Sequence, residues 1–510
     1  MSMKRELART AATIIKTRVD QGHDAVNVAG GLAFQSAPDA ALYRQVATSL
    51  WSGDGYYESR EDWLARFQEN IALSVASDPR FAFQLAAFAR DKSGLSLRTS
   101  PVALYAEASS LPEAKGTGYI RGYAPKILRR ADDPSEALAY LRRHGKVLPH
   151  GLVRGISDAL RAFDDYQLGK YKETGQIRDM LRLARPKPAT EEQRQMWGSA
   201  LAGTLPVPFT WETELSKAHG DEEKQAAWNR LLQSGKLGIF ALLRNIRNMI
   251  AVNADIELAL EQFTRERTIG SGILPFQFYK GYLAVRSHSR EIAEQLLQPL
   301  EWCLEGVPKL PGRTLVVTDN SSSMEDTEGT RGLSNMEIGN LMGAMALAIC
   351  EDAQAGTFGE TFAVAGAHSG QSLLKNKAEI DYCGQSTGHS TEAWKIFHDL
   401  TAGRVMVDRV VILSDMQCYD GLTAGWNKAI GRHVGLYGGR SMAGELEAYR
   451  MAINPKVTVY SINLATQDNA AQFSPDQPVV ELGGFSDSVF RFMSAMEAGQ
   501  DMLAEIRKAY

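Results

Sequence analysis

The chain has 510 residues, 44% of them apolar and 23% charged, which excludes a disordered or collagen-like polymer and provides enough material for several packed domains. No run is apolar for the length a bilayer requires, and the opening MSMKRELARTAATIIKTRVDQGHD scatters its charges instead of showing a charged cap, an apolar run and a cleavage site, so a cytoplasmic protein with no membrane contact is expected. The net charge of −4 conceals a split: residues 1–300 carry 40 Lys and Arg against 34 Asp and Glu, and residues 301–510 carry 16 against 26.

Up to residue 300 the periodicity is almost wholly helical. In SREDWLARFQENIALSVAS, Ser59 and Asp62 have the spacing of a capping box, and Trp63, Phe67 and Ile71 recur on one face, as in an amphipathic helix. Similar segments are predicted around 38–51, 99–111, 134–145, 151–166, 191–201, 222–234, 237–252 and 289–303, with short breaks of Gly, Pro, Asp or Asn between them. Helices of modest length joined by short turns suit a pairwise-stacked solenoid better than a single bundle. This pattern predicts one domain over residues 1–305 and a second over 306–510.

The basic excess concentrates within residues 115–188, which hold 16 basic and 8 acidic side chains. In TGYIRGYAPKILRR, Arg121, Lys126, Arg129 and Arg130 are interleaved with tyrosines, a mixture that stacking and phosphate contact would use, although core packing accounts for the tyrosines equally well. In GLVRGISDALRAFDD, Arg154 with Asp158 and Arg161 with Asp165 read as self-compensated surface. GQIRDMLRLARPKP is read differently: Ile177, Met180, Leu181 and Ala184 form one helical stripe, and Arg178, Arg182 and Arg185 form another with no carboxylate expected at pairing distance. Pro186 and Pro188 stop the helix and leave Lys187 beside its end. Uncancelled guanidinium groups in a row can grip phosphates bidentately, and the competing account of any one of them is an ordinary solvated face. In FALLRNIRNMI, Arg244, Arg247 and Asn248 share a face opposite Leu243, Ile246 and Ile250.

Beyond residue 312 the pattern changes. Short apolar runs, TLVVTD, TFAVAGA, RVVILSD and KVTVYSINL, alternate with helical segments such as NMEIGNLMGAMALAICEDA, TEAWKIFHDL and GELEAYRMAI, which implies an α/β doubly wound domain with a mostly parallel sheet. Ligands of such sheets gather at the carboxyl ends of strands, where Asp319 and Asp415 both fall. Asp319, Ser321 and Ser323 form D-x-S-x-S, a second loop offers Thr391, and Asp415 closes a third. Carboxylates with hydroxyls suit a hard divalent ion, Mg²⁺ foremost, whereas capping of the next turn is the competing role of the serines. Four cysteines (Cys303, Cys350, Cys383, Cys418) lie far apart with no C-x-x-C pair, so reduced thiols are expected.

Together Asp319, Ser321, Ser323, Thr391 and Asp415 resemble the metal-ion-dependent adhesion site of von Willebrand factor A domains. That resemblance implies a cation completed by an acidic side chain of a partner, without catalysis. Over nearly the whole chain the blocks GYYESR, YQLGKYK, RDMLRLARPKP, FTWETELSK, ALLRNIRNM, ILPFQFYKGY and LPGRTLVVTDNSSSM occur in the order found in the Ro family, so the chain resembles a bacterial-type Ro protein with a TROVE domain followed by a von Willebrand factor A domain. The resemblance implies a ring of HEAT-like helical pairs, Y RNA on its outer surface, and single-stranded ends of misfolded or decaying RNA in a central hole. It further implies a partner exoribonuclease such as polynucleotide phosphorylase. Lys170 and Lys172 match basic positions of the family's Y RNA-binding region, Arg185 stands where relatives often carry His, and Arg244 and Arg247 fall on a helix the family places near the ring interior.

The expected protein is a monomeric ribonucleoprotein component acting in RNA quality control, maturation or decay, and not an enzyme. A metal-dependent adhesion scaffold independent of RNA is the alternative. A hydrolase fits worst, because no nucleophile and base are assembled by spacing and a two-metal nuclease would show more acidic ligands at the strand ends.

Overall fold

The computed structural model describes residues 25–27, 32–49, 59–92, 94–171, 176–206, 208–271, 273, 275–305, 309–325, 333–418, 425–427, 432–434, 440–465, 468, 470–473, 477, 479–484, 488–497 and 502–510. Two compact units emerge. A helical unit spans 71–305 and takes in 504–510, while an α/β unit takes in the described residues up to Asn70, 306–485 and 489–503. One division thus falls at 305–306, but the described residues up to Asn70, expected with the helices, pack in the α/β unit. Helical periodicity cannot show this, because an apolar stripe fits either partner, and the partners of this segment lie some 400 positions away, as with Arg44 and Glu481, which form an ion pair across 437 positions.

In the helical unit the elements used below are α1 (Pro79–Arg90), α2 (Ser100–Ser110), α3 (Tyr119–Ile127), α4 (Asp133–Arg143), α5 (His150–Leu160), α6 (Gln176–Ala184), α7 (Glu191–Ala202), α8 (Asp221–Gln233) and α9 (Ile239–Ala251). Pro at the first helical turn starts α1, α2 and α4, where its missing N–H costs nothing. The predicted segment 151–166 ends early, at Leu160, and a separate short helix follows at Asp165–Gly169, capped reciprocally by Asp164 and Gln167. Helix α3 packs so closely on α5 that a Cβ at Gly155 would lie 2.6 Å from the Ala124 Cβ and 2.9 Å from the Tyr105 hydroxyl. Tyr123 is buried, and its hydroxyl donates to the Tyr510 carbonyl at 2.7 Å, so this tyrosine belongs to the core.

Ion pairs join α1 and the loop after it to the start of α4 and the turn before it. Asp133, fully buried, holds Arg90 at 2.6 Å, and the same oxygen accepts the backbone N–H groups of Arg129 and Arg130 at 2.9 and 2.8 Å. Burial is the main influence on both ends, lowering the Arg90 pKa and raising that of Asp133. Removing one partner of such a pair is far costlier than the pair is stabilising.

The α/β unit is built on β1 (Leu310–Asp319), β2 (Cys350–Phe358), β3 (Phe362–His368), β4 (Arg409–Ser414), β5 (Thr458–Asn463) and β6 (Val479–Gly483), in spatial order β6-β5-β4-β1-β2-β3. All neighbours are parallel except β2 and β3. Leu315, Val317, Val410, Ile412 and Val459 pack with Ile396, Phe397, Leu446 and Tyr449 from the helices Trp394–Ala402 and Met442–Ala452. On the other face a Cβ at Gly343, in the helix Asn335–Ile349, would meet the Thr318 methyl at 2.7 Å, so that helix lies close against β1. The sequence reading carried this helix on to residue 353, whereas it stops at Ile349 and Cys350 opens β2. That strand is poor in β-branched residues, and its Asp352 and Gln354 are exposed, so it lacks the composition by which strands are recognised. Strand β6 was likewise not foreseen.

Candidate nucleic-acid interface and cation site

Helix α6 buries Ile177, Met180 and Leu181 and exposes Arg178 and Arg182, and Arg185 and Lys187, just beyond its end, are exposed as well; Ala184, expected in the buried stripe, is only half-buried. Arg185 ends the helix in the left-handed region at φ 43°, its N–H donating to the Leu181 carbonyl at 3.0 Å, consistent with the following proline disfavouring a further helical residue. The Arg185 Nε also donates to the Arg182 carbonyl at 3.3 Å, so one N–H of this guanidinium caps its own helix. Asp179 stands three residues before Arg182, against the expectation that no carboxylate has pairing spacing. It is exposed, and among the described residues no ion pair forms with Arg178, Arg182 or Arg185. Lys170 is exposed, its ammonium 5.7 Å from the Tyr166 ring centroid. Lys172 lies outside the described residues.

Two predicted contacts are otherwise engaged. Arg129 is paired with Asp91 at 2.7 Å and donates to the Lys126 carbonyl at 2.8 Å, while Arg130 is paired with Asp132 at 3.0 Å and hydrogen-bonded to the Tyr171 hydroxyl. These arginines belong to the ion-pair network joining the helices, and a phosphate would have to compete with Asp91 and Asp132 for them. Arg130 bonds to the Tyr171 hydroxyl, and the Ser135 hydroxyl bonds to the Gln176 side chain, at the start of α6, at 3.2 Å. Asp158, expected to pair with Arg154, instead holds Arg121 at 2.6 Å and Arg161 at 3.6 Å. Arg244 and Arg247 are exposed on α9, whose Leu242, Leu243, Ile246 and Met249 are buried.

In the α/β unit the predicted ligand loops meet at the carboxyl ends of β1 and β4. Asp319, Ser321, Ser323, Thr391 and Asp415 are all buried. The Ser321 N–H donates to Asp319 Oδ1 at 2.8 Å, the Ser321 and Ser323 hydroxyls are 3.1 Å apart, and the Ser414 hydroxyl donates to the other Asp319 oxygen. The Thr391 loop is tied to the first by the Ser322 N–H donating to the His389 carbonyl at 3.0 Å. Asn320 donates to the Gly384 carbonyl at 2.6 Å, and a Cβ at residue 384 would fall 2.4 Å from the Asn320 amide oxygen. Ser414 is the residue sequence reasoning missed; its one visible signal was its place before Asp415 at a strand end.

Burial raises both carboxylates above their ordinary range. For Asp319 this outweighs the hydrogen bonds from Ser414 and Ser321, and for Asp415 the nearby charge of Asp319 adds to it. Two carboxylates kept from water and set against each other are what a bound cation relieves, and the neighbouring hydroxyls are hard oxygen donors suited to Mg²⁺. Among the described residues no group of three or more His, Cys, Asp and Glu side chains assembles, here or elsewhere, so this site offers two carboxylates and otherwise only hydroxyl oxygens.

Residues 193–302, inside the helical unit, match the TROVE domain family model. The telomerase protein component 1 of Rattus norvegicus and that of Mus musculus are each 34% identical over 93 residues, 17% of this chain but 3% of theirs, so the chain spans a small part of these relatives. The crystal structure of the Deinococcus radiodurans RO (RSR) protein shares the fold, with a TM-score of 0.60 at 16% identity over 91% of this chain and 99% of that one. Residues 193–302 are therefore similar to a TROVE domain, and the chain as a whole has the fold of the RO (RSR) protein.

Proposed function

We propose that the protein binds RNA through the exposed face of α6 and acts as the protein component of a Ro-type ribonucleoprotein. The observation that carries this is the set Arg178, Arg182, Arg185 and Lys187, exposed and without an ion pair among the described residues, on and just beyond a helix anchored in the core by Ile177, Met180 and Leu181. Guanidinium groups not already neutralised exchange their hydration for phosphate oxygens at little loss, and counterions released from the RNA drive the exchange. In this reading the helical unit belongs to a HEAT-like ring, a small structured RNA of the Y class occupies its outer surface, and Arg244 and Arg247 meet single-stranded RNA within. The α/β unit acts as a von Willebrand factor A domain: Asp319, Ser321, Ser323, Thr391 and Asp415 hold Mg²⁺, and a carboxylate from a protein partner, an exoribonuclease among the candidates, completes the coordination. The chain supplies binding and orientation, with no catalytic step of its own.

Sequencing the RNA that copurifies with the full chain tests this. Enrichment of one or a few small structured RNAs over bulk is expected; random fragments alone would favour an adhesion scaffold working through its cation site without RNA.

A further inference from the structure

The loop that carries Asp415 is held in an uncommon conformation by groups from distant parts of the chain. Met416, directly after Asp415, sits at φ 59°, a region a non-glycine residue seldom occupies unless its surroundings impose it. Every polar group of this residue is engaged: its N–H donates to the Ser414 hydroxyl at 2.9 Å, its carbonyl accepts from the Gln472 amide at 2.7 Å, and its sulfur accepts from the Ser461 hydroxyl at 3.3 Å. At the next carbonyl but one, Cys418 accepts from the Asn27 amide at 2.8 Å, although the two lie 391 positions apart.

Asn27 and Gln472 have a common origin. Strand Ala25–Val26 pairs with Leu32–Gln35, which in turn pairs with Ala470–Ala471, making one small antiparallel sheet. Each amide is borne by the residue that immediately follows one of its outer strands. The small sheet therefore delivers two buried donors to alternate carbonyls of one loop, with Asn27 and Gln472 exposed by only 1% and 4%.

We propose that Asn27 and Gln472 are positioning residues of the cation site, holding the Asp415 loop in its strained form so that its carboxylate faces the Asp319 loop. The N-terminal segment is then part of the site although it supplies no ligand. This inference rests on the reading that the three loops hold a divalent cation.

The test uses the full chain and Mn²⁺ alone as the probe, with free ion followed by electron paramagnetic resonance. Asn27→Ala and Gln472→Ala are each expected to weaken Mn²⁺ binding about tenfold, the lower end of what loss of an outer-shell partner costs a metal site. Asn27→Gln, which keeps an amide donor, is expected to recover most of the affinity, and Gln472→Glu, which keeps the shape but loses the donor, is expected to bind as weakly as the alanine variant. Unfolding measured in chelator separates the effect from simple destabilisation, which would lower the melting temperature yet leave the Mn²⁺ affinity of the folded protein unchanged. Wild-type affinity in both alanine variants, with binding abolished by Asp415→Ala, overturns the positioning role and leaves the cation reading standing. Failure of the wild-type chain to bind Mn²⁺ removes the cation reading and this inference with it.

Discussion

Replacing Arg178, Arg182 and Arg185 together by alanine removes three positive charges from an exposed helix face while leaving Ile177, Met180 and Leu181 to anchor it. If each guanidinium displaces one counterion on binding, the slope of log K against log salt should become less negative by about 2–3, at roughly 0.7–0.9 per phosphate contact. Between 50 and 200 mM salt the wild-type protein should therefore lose roughly 20–40-fold more affinity than the variant. Fluorescence anisotropy of a labelled hairpin RNA across that range measures the two slopes, and circular dichroism checks that the helices persist. Alanine is the best helix former at positions 178 and 182, and at 185, beyond the helix end, it removes only the Nε–H bond to the Arg182 carbonyl while the backbone bond to Leu181 remains. Parallel slopes would refute the reasoning even if the variant bound more weakly, because weakening without loss of salt dependence means the arginines do not meet phosphates.

Asp133→Ala should destabilise the helical unit by about 3–5 kcal/mol, because it leaves the buried Arg90 without its counter-charge and frees two backbone N–H groups. Thermal unfolding should register this as a fall of about 10 °C, and a shift under about 2 °C would contradict the account. The cation site makes a pH prediction. Both carboxylates have folded pKa values raised above their unfolded values, so without metal the folded state binds more protons and its stability falls as pH rises from about 4 towards neutrality. Mg²⁺ requires both groups deprotonated and should reverse that slope, with Mg²⁺ affinity falling as pH is lowered through the same window. Isothermal titration at pH 5.5 and 7.5 measures it, and equal affinity at the two values would contradict the assignment. Arg130→Ala should leave the salt slope of RNA binding unchanged, because the Arg130 guanidinium is already paired with Asp132.

How much of this was legible in the sequence depended on the distance over which each feature is determined. The α6 stripe was visible because its burial pattern is local: a 3.6-residue period separates Ile177 and Leu181 from Arg178 and Arg182 without knowledge of any partner. The strand-end positions of Asp319 and Asp415 were visible for the same reason, since each closes an apolar run that only a buried strand explains. The fate of Arg129 was not, because it is set by Asp91, 38 positions away, whereas Arg130 pairs with Asp132 only two positions on, a local signal that the sequence reading passed over. Nor could periodicity reveal that the described residues up to Asn70 join the α/β unit, or that Asn27 reaches Cys418. The strand at Cys350–Phe358 escaped because register in the sheet, and not composition, makes it a strand.

The central claim is that RNA lies along the outer face of α6. Ultraviolet crosslinking of the full chain to the RNA with which it copurifies, followed by mass spectrometry of the crosslinked peptides, locates that contact directly. Crosslinks concentrated in peptides spanning residues 170–188, and lost in the triple alanine variant, are the predicted result. Crosslinks confined to the α/β unit, or unchanged by removal of the three arginines, would contradict it.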